Sequence, residues 1–133
     1  MQRDPELIRQ LMLRLESFPM GRGAVLMLDP CEDLLVEGYS HDQIDYHMRQ
    51  ILMSGWVDMA GGLGISISGK FSFRALTPAG HDFVDSVRDE AIWRLTKNGV
   101  TEAGGFTLET LSALGKAFLK KQVEKLTGLE LPG

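Results

Sequence analysis

The stretch that decides the fold is Ser40–Pro78, SHDQIDYHMRQILMSGWVDMAGGLGISISGKFSFRALTP. Its hydrophobic period changes at Gly55. Before that residue, Ile44, Met48, Ile51 and Leu52 recur at the spacing of a helix with one apolar face. Ser40-His41-Asp42-Gln43 has the form of a capping box, in which the Ser40 hydroxyl takes a first-turn amide and Gln43 reaches back to the cap. Gly55 stands where a left-handed residue ends a helix. After it, Trp56, Val57 and Met59 read as a strand start, and Gly61-Gly62-Leu63-Gly64 as a turn-rich tip. Ile65-Ser66-Ile67-Ser68 and Phe71-Ser72-Phe73 then alternate with period two. The pattern predicts a helix over 41–54 and an antiparallel hairpin over 56–76, with a loose tip at 60–70. A helix followed at once by such a hairpin is the arrangement of a winged helix, 41–54 being the recognition-type helix and the tip the wing.

Upstream, Asp4 caps a helix, Pro5 suits its first position, and Leu7, Leu11, Leu15 and Phe18 make an amphipathic stripe that ends at Pro19 and Gly21. Residues 24–38 leave two readings open, short strands or a single helical turn broken at Asp29-Pro30. Downstream, Thr77-Pro78 opens a helix expected to run to Asn98-Gly99, with Val84, Val87, Ala91 and Leu95 on one side and Trp93 opposite. Phe106, Thr107 and Leu111 form a hydrophobic staple at the start of a last helix. Leu108, Leu111, Phe118, Leu119 and Leu126 line one side of it, and Lys116, Lys120, Lys121 and Lys125 the other. The expected fold is α+β: a single domain over 1–133, with a winged-helix-like core at 1–76 and a two-helix C-terminal extension at 77–133.

At 133 residues, 44% of them hydrophobic, the chain can bury a core of its own. One Cys excludes an internal disulfide and favours a reducing compartment. The longest wholly apolar run, Ala24–Leu28, is far below the roughly 20 residues of a membrane helix. The opening Met1-Gln2-Arg3-Asp4-Pro5 lacks a secretory apolar region, so the expected location is cytoplasmic, with no membrane partner.

Three places carry a resemblance: Arg3-Asp4-Pro5-Glu6-Leu7-Ile8-Arg9; Tyr39-Ser40 through Tyr46-His47 to Gly55-Trp56-Val57; and Leu76-Thr77-Pro78-Ala79-Gly80-His81-Asp82-Phe83 with Val87-Arg88-Asp89 and Ile92-Trp93. In these the chain resembles an uncharacterised bacterial family, a domain of unknown function found in phage and prophage proteins. The resemblance implies a winged-helix-like fold and a mobile-element origin. It implies no catalytic residue.

The contact residues expected on the head are Asp42, Tyr46, Arg49 and Gln50 of the helix, with Lys70 and Arg74 beside the wing. Arg49 and Gln50 suit base edges in a major groove, and Lys70 and Arg74 suit phosphates. Charge argues the other way. Residues 24–74 hold three basic and seven acidic side chains, a sum of −4 that equals the net charge of the whole chain. Affinity for DNA rests on Lys and Arg, and the head is poor in both.

Metal binding is not expected. His41 and His47 point about 120° apart on one helix, no metal-ligand spacing is present, and His47 reads as a hydrogen-bonded core histidine. Cys31 sits beside Glu32 and Asp33, which oppose a thiolate, so no nucleophile is expected there. Arg88 is placed to pair with Asp85. Trp93, Phe106 and Phe118 offer more apolar surface than one helix pair uses; a homodimer interface is one reading, and packing of both helices on the winged body is the other. The expected protein is therefore non-enzymatic and needs no cofactor: an accessory adaptor or regulator acting on a protein partner. The second reading is a sequence-specific regulator that binds double-stranded DNA as a dimer.

Overall fold

The computed structural model describes residues 1–62 and 64–133; Leu63, in the expected hairpin tip, lies outside them. The fold is α+β, and the chain divides into two compact units, Met1–His81 and Asp82–Gly133. The first holds α1 (Pro5–Ser17), β1 (Leu26–Leu28), α2 (Pro30–Asp33), α3 (His41–Met53), β2 (Val57–Asp58), β3 (Phe71–Phe73) and β4 (Ala75–Leu76). Then come α4 (Pro78–Val87), which begins just before the boundary, α5 (Glu90–Ala103) and α6 (Leu108–Thr127).

Local hydrogen bonding sets most helix starts. The Asp4 carboxylate accepts the Glu6 amide, and Asp29 accepts that of Cys31. Ser40 and Gln43 complete both halves of the capping box, and Thr107 accepts the Thr110 amide. Helix α1 packs on α3, and the short α2 packs on α3 as well. Leu7, Ile8, Leu11 and Met12 are fully buried, as are Leu34, Ile44, Met48 and Ile51. β1 pairs antiparallel with β3 in the register Leu26↔Phe73 and Leu28↔Phe71, and β2 pairs antiparallel with β4, Val57 opposite Leu76. Phe71 and Phe73 point into this core at 1% exposure, with Ser72 between them on the other face. Truncating either to Ala is worth about 3–5 kcal/mol. Residues 24–38, left open by periodicity, thus form a three-residue strand and one helical turn.

The hairpin ladder is short, Val57–Asp58 against Ala75–Leu76, and the expected tip at 60–70 forms no strand where it is described. Ile65–Ser68 lies in no strand; it enters a tight turn in which the Gly69 amide donates to the Ser66 carbonyl and the Ser66 amide to that of Lys70.

In the second unit, α5 packs against α6. The helix expected to run from Pro78 to Gly99 is two helices. Asp89 leaves the helical conformation and caps α5 by accepting the Ile92 amide at 3.0 Å. Helix α5 then continues through Gly99 and ends at Gly104, in the left-handed region with φ 82. The extension accordingly has three helices. Its core takes Phe83, Val84 and Val87 from α4, Ile92, Trp93 and Val100 from α5, and Leu111 from α6. α6 meets the end of α4 at Gly115, where a Cβ would stand 2.8 Å from Val87 Cγ1 and 2.9 Å from Ser86 Oγ. The apolar stripe of α6 is buried at Leu111, half-covered at Phe118 and Leu119, and exposed at Leu126.

Candidate functional site

The face expected to carry function is built from α3 and the hairpin, both in the first unit. The capping box fixes the start of α3, and a network fixes its angle to α1. His47, 1% exposed, has Nδ1 2.7 Å from the Gln43 carbonyl, and its Nε2 accepts the Asp4 amide at 2.8 Å. Since Nε2 accepts, Nδ1 carries the proton. Asp4 also accepts the Tyr39 hydroxyl at 2.8 Å. Burial, this hydrogen bond and the Asp4 charge push the Tyr39 hydroxyl up to about 12. His47 is thus the core histidine that its place beside Ile44 and Ile51 foretold.

On the outer side of α3, Asp42 is exposed and Tyr46, Arg49 and Gln50 are half-buried. The ring of Tyr46 meets that of His47 edge-on, 5.9 Å between centroids. Arg49 does not reach outward. Its Nε bonds Asp45 at 2.8 Å, and its Nη2 donates to the carbonyls of Ile67 at 2.9 Å and Ser66 at 3.3 Å. The guanidinium therefore straps the turn of the wing onto the helix. Gly69, buried with φ 91, completes the closure: a Cβ there would stand well inside van der Waals contact distance of Asp45 Oδ1.

Arg74 is engaged as well. It grips Asp58 with two bonds, Nε–Oδ2 2.9 Å and Nη2–Oδ1 3.3 Å. Those bonds, with the Ala60 amide on Oδ1, hold the Asp58 carboxyl below its usual range. Of the three basic residues expected at the reading head, Arg49 and Arg74 are thus spent on carboxylates and carbonyls. Lys70 is exposed and has no side-chain partner among the described residues. The exposed surface of this unit carries Glu32, Glu37 and Asp42.

The roles of Gly69 and Asp58, and the pairing of Asp45 with Arg49, are what the sequence did not disclose. Asp45 stands four positions before Arg49, the spacing of a helical ion pair. Nothing along the chain marks the carbonyls of the returning turn. The other expected sites are placed plainly. Trp93 is buried within the chain at 3% exposure, and Phe106 and Phe118 are half-buried. Arg88 pairs with Asp85 at 2.9 Å. Cys31 is half-buried, and its thiol is pushed up by burial first, then by Asp29, Asp45, Asp42 and Glu32. No cluster of His, Cys, Asp or Glu able to hold a metal ion lies among the described residues, and no helix among them is long and apolar enough to cross a membrane.

What fold and site define is an α+β protein whose helix-and-hairpin face is closed on itself by two arginines. Residues 2–107 match the family described as Hypothetical protein (DUF2513), and the chain belongs to that family. It is also similar to an uncharacterized protein of Haemophilus influenzae, 25% identical over 100 residues that cover 75% of this chain and 79% of that one. No solved structure matches the chain.

Proposed function

We propose that this is a non-enzymatic, winged-helix-like protein that works in the cytoplasm as an adaptor or regulator, docking a protein partner on α3 and the hairpin. The element order α1-β1-α2-α3-β2-β3, with β1 paired to the returning strand of the hairpin, supports the winged-helix reading. The phage or prophage setting rests on the resemblance carried by the opening helix and by Leu76–Phe83.

The observation that carries the choice of partner is the fate of the arginines. A face that reads DNA presents its guanidinium groups to bases and phosphates. Here Arg49 holds the wing and Arg74 holds Asp58. The side chains left outward, Asp42 and the half-exposed Tyr46 and Gln50, suit a protein surface with basic character. A photo-crosslinking residue at Gln50, introduced in the native host, is expected to trap one discrete protein. Asp42→Lys is expected to weaken that capture tenfold or more. Recovery of duplex DNA in place of a protein would overturn the reading.

The second reading, a dimeric DNA-binding regulator, draws on the same element order and on Lys70. It requires Arg49 to leave the turn carbonyls and Asp45 before it reaches a base edge.

A further inference from the structure

Helix α6 runs on to Thr127, yet none of its residues after Gly115 is buried. The stretch 116–127 is about 18 Å of helix, and helices in proteins owe most of their stability to packing an apolar face. Such a face is present. Leu119, Val123 and Leu126 recur at i, i+4 and i+7, the first two half-covered and Leu126 75% exposed. Leu119 and Val123 line an open groove of about 330 Å³ against α4. Its α6 wall is basic, with Lys116 and Lys120, and its α4 wall is acidic, with Asp82 and Asp85. The walls do not neutralise each other. Asp85 pairs with Arg88, and Asp82, Lys116 and Lys120 have no partner of opposite charge among the described residues.

That polarity narrows what covers the face. An anionic surface, whether lipid or nucleic acid, is drawn to the lysines and repelled by the aspartates of the facing wall. A cationic surface meets the reverse. The occupant has to present an apolar strip with one acidic and one basic edge, and α4 with α6 of a second copy is such a body. A two-fold axis through the groove sets the basic wall of each copy against the acidic wall of the other, the self-complementary pattern of an isologous interface. We propose that the chain forms a homodimer through this groove, the second half of α6 from each copy lying against α4 and α6 of the other. The interface lies wholly in the second unit, so it and the α3 face can fail separately.

Sedimentation equilibrium of the full chain from about 1 to 500 μM tests this, a range that covers the micromolar affinities of small interfaces. The expected result is a reversible monomer–dimer equilibrium. Leu126→Ser, at a position open to solvent in the single chain, is expected to weaken the dimer about fivefold or more and to leave the thermal midpoint of a dilute, monomeric sample unchanged. Asp82→Lys with Asp85→Lys, and separately Lys116→Glu with Lys120→Glu, set like charges against each other on both sides of the two-fold axis. Each pair of changes is expected to weaken self-association about tenfold or more. Mixed together, the two charge-reversed chains regain opposite signs at every contact, and they are expected to form a heterodimer as tight as the parent dimer, read by native mass spectrometry. A chain that stays monomeric throughout the range overturns the proposal. So does a dimer that neither charge reversal weakens, or a pair of charge-reversed chains, each folded by circular dichroism, that fails to recombine.

Discussion

Gly69→Ala probes the closure of the wing most sharply. Two costs add at that position. The backbone sits at φ 91, where an L-residue pays about 1–2 kcal/mol. The new Cβ would also press on Asp45 Oδ1, and the carboxylate is the partner of Arg49 at 2.8 Å. Moving it aside loosens a half-exposed ion pair worth about 0.2–1 kcal/mol. The expected destabilisation is about 1–3 kcal/mol. In an Asp45→Ala background the collision is gone, and only the backbone cost remains. A double-mutant cycle by urea denaturation therefore gives a coupling of about 0.5–1 kcal/mol between the two positions. Hydrogen exchange adds a local readout, with faster exchange of the Ser66 and Gly69 amides that close the turn. A Gly69→Ala chain as stable as the parent, or one that loses the same amount in both backgrounds, refutes the packing of the turn on α3.

Three other perturbations follow from the same geometry. His47→Ala leaves the Asp4 amide without its acceptor and opens a hole between α1 and α3, and it is expected to cost about 2–4 kcal/mol in chemical denaturation. Tyr39 is held protonated in the folded chain up to about pH 12, against 10 for the free group, so its contribution is complete below pH 10 and is lost as pH rises toward 12. Urea midpoints between pH 8 and 12 should fall along that limb in the parent and show a smaller fall in Tyr39→Phe. Ala60, a non-glycine residue at φ 57 beside Gly61 at φ 67, closes a two-residue turn from Met59 to Gly62. Ala60→Gly is expected to raise stability by up to about 1 kcal/mol, the left-handed strain relieved less the added freedom of the unfolded chain.

Where a single hydrogen bond between near neighbours decides the structure, the sequence was legible. Asp4, Ser40 with Gln43, and Thr107 all cap the helices assigned to them, because the cap and its target amide lie within three residues. The break at Asp89 escaped notice for a related reason. Phe83, Val84 and Val87 continue into Ile92 and Trp93 with nearly unbroken helical spacing, and Asp89 sits inside an acidic run that conceals a cap. Ile65–Ser68 alternates with period two yet lies in no strand, within the tip that the neighbouring glycines mark. On α3, the expected outer position of Arg49 is right in angle, yet its chemistry is set by carbonyls at residues 66 and 67, which only the return of the wing brings near. Charge distribution was the most durable signal. The acidity of residues 24–74, visible by counting, is the reason Arg49 and Arg74 find carboxylates at hand.

The most direct measurement is a titration of a labelled random-sequence duplex with the full chain, at 20 mM and at 200 mM salt. A protein-docking face with both arginines engaged predicts no saturable binding at either salt up to roughly 50 μM protein, non-specific binders being held by unpaired Lys and Arg. Tight binding at low salt that collapses at high salt, and that is lost on Arg49→Ala or Lys70→Ala, would contradict it and establish the α3–hairpin face as a nucleic-acid reader.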